Sequence, residues 1–187
     1  MTGVQTCALP ISYVINDKKF KVFIGQEEIN SIVTDLARRI NEDYEGKEIL
    51  FIVVLKGAIF FAVDLLREIN LKCELQVVQA KSYGMAMSSS GSVKLDIPEM
   101  NLIGKNVIVV EDILDTGYTL KALIENLQSL NPESLEITVL LSKPEMRKVD
   151  IDVKYLGKEI PSVFVVGSGL DYAEQGRNLK GIYALSE

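Results

Sequence analysis

Apolar positions along the chain follow a few distinct patterns, and each predicts a different element. From Gln26 to Tyr44, Ile29, Ile32, Val33, Leu36, Ala37 and Ile40 recur at steps of three and four, which predicts an amphipathic helix with Gly46 placed to stop it. Ile49 to Leu55, ILFIVVL, is instead an unbroken aliphatic run, the pattern of a strand buried on both faces of a parallel sheet. Lys56-Gly57 reads as a turn, and Ala58 to Ile69 as the helix that crosses over. Cys73 to Ala80 predicts a second strand, in which Leu75 and Val77 alternate with more polar neighbours. Asn106 to Glu111, NVIVVE, predicts a third, Tyr118 to Leu130 a helix, and Leu135 to Leu141 a fourth strand stopped by Lys143-Pro144. Shorter apolar runs follow at Val153 to Leu156, Val163 to Val166 and Gly181 to Leu185. The longest loop, Lys81 to Asp96, carries a Ser/Gly-rich tract at Ser88 to Ser92, and long loops in compact domains are often functional lids.

Strands alternating with helices imply βαβ units and a mostly parallel sheet. Ligands in such sheets bind outside the carboxyl ends of the strands, where strand order switches. Three strand ends therefore matter: Leu55-Lys56-Gly57, Glu111-Asp112 with the turn after it, and Ser142-Lys143. A length of 187 residues with 48% hydrophobic content supports one domain with a full core and is too short for two large ones.

Charge and composition narrow the chemistry. Twenty Lys+Arg against 26 Asp+Glu give a net charge of −6, which disfavours broad binding to nucleic acid or to an anionic membrane. The chain has no His, so Ser-His-Asp and Cys-His nucleophiles, His-ligated zinc and His acid-base catalysis are excluded together. Two cysteines, Cys7 and Cys73, form neither a disulfide framework nor a metal-ligand spacing, which suits a reducing, cytoplasmic setting. The most apolar stretch, Ile49 to Val63, is broken by Lys56 and Gly57 and falls short of the roughly 20 residues of a membrane span. The first residues, MTGVQTCALPIS, lack the basic n-region of a signal peptide and match nothing that follows.

The strongest chemical signal is VIVVEDILDTGYTL, Val107 to Leu120. A buried strand delivers two adjacent carboxylates, Glu111 and Asp112, then a turn with Asp115, Thr116, Gly117 and Thr119 that opens a helix. A Gly-containing turn at a helix N-terminus offers unpaired N–H groups and a dipole that favour a phosphate. The segment is neither a Walker loop nor a Rossmann G-x-G-x-x-G, and Ile113 and Leu114 stand where an EF-hand needs ligands. Adjacent carboxylates repel and are costly to desolvate unless a cation or hydroxyl donors satisfy them, and Mg2+ and ribose hydroxyls do both. On spacing alone, a helix-capping role for Asp112 or Asp115 with a solvated Glu111 stays open.

The strand, paired acids and turn resemble the phosphoribosyl pyrophosphate motif of type I phosphoribosyltransferases. VLKGAIFFAVDLLR at Val54 to Arg67, KSYG at Lys81 to Gly84, LLSKPEMR at Leu140 to Arg147 and IPSVFVVGSGLDYAEQGRNL at Ile160 to Leu179 narrow the resemblance to the hypoxanthine (hypoxanthine-guanine) phosphoribosyltransferases. The match runs from about Lys18 to the C-terminus as a single domain, residues 18–187. Residues 1–17 stand outside it as an extension, native or artefactual.

That resemblance implies an α/β fold, a parallel sheet flanked by helices with a small C-terminal hood, to which the N-terminus can contribute. It implies Mg2+-dependent conversion of hypoxanthine or guanine plus phosphoribosyl pyrophosphate to the nucleoside monophosphate and pyrophosphate. Glu111 and Asp112 are then expected to hold the ribose hydroxyls directly and through Mg2+, and Asp115, Thr116, Gly117, Tyr118 and Thr119 to cradle the 5-phosphate. Asp115 is expected to be the acid-base group at purine nitrogen 7. Lys56 and Gly57 belong to the pyrophosphate loop, often with a non-proline cis peptide, and Arg177 is a cation near the same leaving group. Lys143 is expected to donate to the purine 6-oxo group, Phe164 to stack on the base, Val165 to contact its edge through the backbone, and Asp171 to hold a second Mg2+. Ser82 and Tyr83 begin the lid. A homodimer or homotetramer is implied too, with neither nucleic acid nor membrane as a partner.

Read alone, several of these residues carry plainer meanings: Lys56-Gly57 an ordinary turn, Lys143 a solvated lysine, Phe164 core packing, Asp171 and Arg177 surface charge. Two alternatives to the activity remain open on sequence: a regulator that keeps the fold as a nucleotide sensor, and a xanthine-preferring transferase. The chain also departs from the family's common pattern at Ser168-Gly169 and Gln175-Gly176, where aromatic residues are usual.

Overall fold

Residues 12–81 and 94–186 are described in the computed structural model, and their strands form two sheets. The chain opens with β1 (Ser12–Ile15) and β2 (Lys18–Ile24), then α1 (Gln26–Asp43), β3 (Ile49–Leu55), α2 (Ala58–Glu68), β4 (Cys73–Lys81) and β5 (Lys94–Asp96). It continues through β6 (Asn106–Leu114), α3 (Tyr118–Gln128), β7 (Ser134–Ser142), a short 3-10 turn Pro144–Met146, β8 (Tyr155–Glu159), β9 (Val165–Val166) and β10 (Ile182–Ser186).

The larger sheet has the order β5-β4-β3-β6-β7-β8, parallel throughout except for β5. Its central strand shows why an unbroken apolar run was needed. Ile49, Phe51 and Val53 pack with Val33 and Leu36 of α1 and with Phe61 and Leu65 of α2. Leu50, Ile52 and Val54 point the other way, into a cluster with Leu102 and with Leu120, Leu123 and Leu127 of α3. Each side chain buried this way contributes about 1.5–3 kcal/mol from area removed from water. The predicted strand Ile49 to Leu55 and the predicted helix beginning at Gln26 are both observed.

Strand order reverses between β3 and β6, because β4 lies on one side of β3 and β6, β7 and β8 on the other. The carboxyl ends of β3 and β6 therefore meet at the switch point. The third predicted strand does not stop at Glu111 but runs to Leu114, because β7 stays in register beside it, pairing Ile113 with Leu141 and Leu114 with Ser142. Asp112 thus lies within the strand, as Glu111 does, rather than beyond it.

The second sheet, β1-β2-β10-β9, is antiparallel and forms the hood. It draws on both ends of the described chain, not on C-terminal strands alone. Phe20 of β2 is fully buried with Ile15, Val166 and Tyr183, and Tyr13 meets Tyr183 edge-on at 5.1 Å. Residues 12–17 are the outer half of a hairpin with β2, turned at Asn16, whose φ is +53°.

Candidate active site

Three elements converge at the switch point. The first is the turn after β3, where the Leu55–Lys56 peptide bond is cis. A Cβ built on Gly57 would overlap the Asp112 carboxylate and come within 3.2 Å of the Gly169 carbonyl oxygen. Gly169, at φ +99°, is crowded in return by the Gly57 carbonyl. Glycine at both positions lets the β3 turn and the hood loop pack backbone against backbone, with the Asp112 carboxylate against Gly57.

The second element is the end of β6. Asp112 is buried, and its Oδ1 accepts the Ile113 N–H at 2.8 Å, while Glu111 Oε1 accepts the Asp112 N–H at 3.2 Å. Burial pushes Glu111 well above the ordinary carboxylate range, and the adjacent Asp112 adds to the rise. Burial raises Asp112 too, against hydrogen bonds and the Arg177 charge that pull it down. These two groups are short of positive charge in the protein alone. Hard carboxylate oxygens with that deficit suit Mg2+, which is held by one or two carboxylates with substrate oxygens completing its sphere. Among the described residues no three His, Cys, Asp or Glu converge as a ready-made metal cage.

Beyond β6 the chain turns through Gly117, which caps α3 at φ +87° with no side-chain capping bond, so neither Asp112 nor Asp115 is a helix cap. The first helical N–H groups of α3, from Tyr118 onward, have no side-chain cap, the kind of helix start that favours an anion. The Tyr118 side chain is exposed. Lys148 N–H donates to the Thr116 carbonyl at 3.0 Å, which braces this turn from the segment after β7.

The third element is the end of β7. Lys143 N–H donates to the Leu114 carbonyl at 2.9 Å, and Arg147 reaches back to Ser142 Oγ at 2.9 Å. These bonds seat Lys143 beside Asp115: Lys143 Nζ is 3.6 Å from Asp115 Oδ2, and the lysine side chain is only 11% exposed. Asp115 Oδ1 is buried without a hydrogen-bond partner. A solvated lysine is excluded, and the nearly buried ammonium faces a carboxylate whose side chain is 43% exposed.

The hood supplies the rest. Phe164 is 46% exposed, with the Tyr172 ring edge-on to it at 5.9 Å and the Phe20 ring tilted against it at 6.3 Å, so it is not a core residue. Val165 pairs with Ala184 in β10. Arg177 binds Asp171 at 2.8 Å and the Gly169 carbonyl at 2.8 Å, so both are fixed within the loop. At one of the departures from the family pattern, Ile15 of β1 lies against Gly176, where a Cβ would come within 2.8 Å of its Cδ1. Lys56 reaches Glu174 at 3.1 Å, a contact that sequence reading missed, since an acidic residue in an exposed loop carries no signal of its partner. Ser82 and Tyr83 lie outside the described residues.

Comparison with known proteins is decisive at the level of family. The phosphoribosyl transferase domain matches residues 25–173. The chain belongs to the phosphoribosyl transferase family. A hypoxanthine-guanine phosphoribosyltransferase of Staphylococcus aureus (strain Mu50 / ATCC 700699) is 42% identical over 172 residues, which cover 91% of this chain and 95% of that protein. One from Aquifex aeolicus is 40% identical over 176 residues, covering 92% and 98%. The crystal structure of a hypoxanthine-guanine phosphoribosyltransferase from Bacillus anthracis superposes with a TM-score of 0.83 at 42% identity, covering 89% of this chain and 97% of that one. The fold and enzyme class expected from the sequence are borne out: this is a phosphoribosyltransferase with a helix-flanked parallel sheet and a hood.

Proposed function

We propose that this phosphoribosyltransferase joins hypoxanthine or guanine to phosphoribosyl pyrophosphate, releasing pyrophosphate and the purine nucleoside monophosphate. The observation that carries the choice of base is the Lys143–Asp115 pair, 3.6 Å apart, an ammonium beside a partly exposed carboxylate. A 6-oxopurine presents an acceptor oxygen at C6 beside an N–H at position 7, which is the complement of an ammonium beside a carboxylate. Adenine offers an amino group to the lysine instead, and two donors do not pair.

In this reading Phe164 stacks on the ring, and the backbone at Val165 contacts its edge. The α3 N-terminus with Thr116 and Thr119 takes the 5-phosphate, and Glu111 and Asp112 take the ribose hydroxyls. Purine nitrogen 9 forms the bond to ribose C1 as the C1–oxygen bond to pyrophosphate breaks and its electron pair leaves with the diphosphate. Asp115 accepts the proton from nitrogen 7, a role a carboxylate can fill in a chain without His. Lys56, the backbone at Gly57 and Arg177 bind the departing diphosphate. Glu111, Asp112 and Asp171 are the groups that would hold Mg2+, which supplies positive charge against the leaving group.

We also place the enzyme in the cytoplasm as a homodimer or homotetramer. No helix of the described residues is long and apolar enough to cross a membrane, and Cys73 is a free, exposed thiol. Phe60 and Val63 of α2 and Leu75 and Val77 of β4 leave apolar surface that a second subunit can cover. A monomer by light scattering at micromolar concentration would refute the oligomer.

The deciding experiment is a spectrophotometric assay with phosphoribosyl pyrophosphate, comparing hypoxanthine, guanine, xanthine and adenine, each with and without chelator. Metal-dependent nucleotide formation from hypoxanthine or guanine is the expected result. Saturable donor binding with no turnover of any base would instead indicate a nucleotide sensor.

A further inference from the structure

Glu174 has no part in the reaction as described, yet one of its oxygens joins two cations from different parts of the fold. Oε2 lies 3.1 Å from Lys56 Nζ, on the turn after β3, and 3.4 Å from Arg177 Nη2, in the hood loop. The loop is shaped to hold it there. Ala173 and Glu174 are consecutive non-glycine residues at φ +51° and +64°, an unfavourable backbone state for any residue with a Cβ. The turn is closed by paired Tyr172–Gln175 backbone bonds of 2.9 and 3.1 Å, and Glu174 N–H donates to Asp171 Oδ2 at 2.8 Å.

Arg177 does not need Glu174 to be neutralised or fixed, because Asp171 and the Gly169 carbonyl already do both at 2.8 Å. Lys56 and Glu174 are themselves exposed, with side chains 64% and 66% accessible, so an anion from solvent can compete for the lysine directly. A diphosphate offers the same acceptor chemistry with more charge.

We propose that Glu174 is an internal counter-anion of the pyrophosphate subsite, its Oε2 bridging Lys56 and Arg177 in the free protein and giving way to the incoming diphosphate. The inference rests on the assignment of Lys56 and Arg177 to that subsite under Proposed function. Because the carboxylate must be displaced, it lowers affinity for pyrophosphate and for the donor's diphosphate alike, and so eases product departure.

The test is calorimetric titration of pyrophosphate with Mg2+ into the wild-type protein, E174Q, E174A, K56Q and the double variant K56Q/E174Q. Exposed ion pairs are individually weak, so E174Q and E174A should each bind about two- to fivefold more tightly than wild type. That gain should shrink when Lys56 is already gone, the signature of coupling between the two side chains. If both Glu174 variants bind equally or more weakly while wild type binds, or if the gain is undiminished in K56Q, the counter-anion is overturned and the subsite stands. Absence of pyrophosphate binding in every protein overturns the subsite and the inference together.

Discussion

The Asp112 carboxylate fills the space that a side chain on Gly57 would need. One strand end thereby fixes the shape of the next, and the requirement for glycine comes from space, since Gly57 has an ordinary helical φ of −62°. Gly57→Ala is expected to destabilise the protein by about 1–3 kcal/mol, the usual cost of overpacking. It should also weaken binding of the donor, because relief requires moving either the carboxylate or the turn. Thermal melting and donor titration of the same variant check both parts, and wild-type values in both would remove the steric argument.

Asp115→Asn keeps the shape of the side chain and removes its basicity. Turnover should fall by about a hundredfold or more, the range for a lost general acid or base, with a much smaller change in donor affinity. Steady-state kinetics separate the two. A raised KM with intact turnover would assign Asp115 to binding alone.

Lys143→Met removes a charge-assisted donor from a nearly buried position. Loss of about 1.5–3 kcal/mol predicts at least a tenfold fall in kcat/KM for hypoxanthine. The ratio of hypoxanthine to adenine activity should narrow. An unchanged ratio would show that discrimination lies elsewhere.

Away from the site, Tyr155 donates to Asp43 Oδ2 at 2.8 Å, and Lys154 lies 3.0 Å from the same oxygen. The tyrosine hydrogen bond first, and the lysine next, hold the Asp43 carboxyl below its usual value. A depressed folded value means that this contribution is present above the ordinary carboxylate range and is lost as pH falls through the folded value. Asp43→Asn should therefore lower Tm near neutral pH by about 2–4 °C for each kcal/mol lost in a chain of this size. The gap to wild type should close towards acid. Melting curves across that range check the sign, and a gap that widened with acid would contradict it.

The parts of the molecule legible in the sequence are those set by local pattern. ILFIVVL, bounded by Gly46 and Lys56-Gly57, reads as a strand buried on two faces because it is short, β-branched and flanked by turn residues, and both faces are covered. What escaped local reading depends on partners distant in sequence. The extension of β6 to Leu114 exists because β7 continues beside it. β2, KKFKVFI, was not predicted at all: its burial is confined largely to Phe20 and Ile24, and its place at the centre of the hood comes from pairing with β10. At the site, carboxylates and glycines announced themselves by type and spacing. The pairing of Lys143 with Asp115, and of Lys56 with Glu174, required the fold to bring separate strand ends together.

The pairing of β2 with β10 has a consequence for synthesis. Val22 lies opposite Tyr183, and all of the large sheet is made between them. A ribosome therefore releases the turn after β6 and its paired acids before it has made β10, which pairs with Val165 and bonds to Phe164. On the assignment proposed above, the ribose contacts of β6 and the Lys143–Asp115 pair are therefore made before the strand that backs the stacking residue, which arrives last.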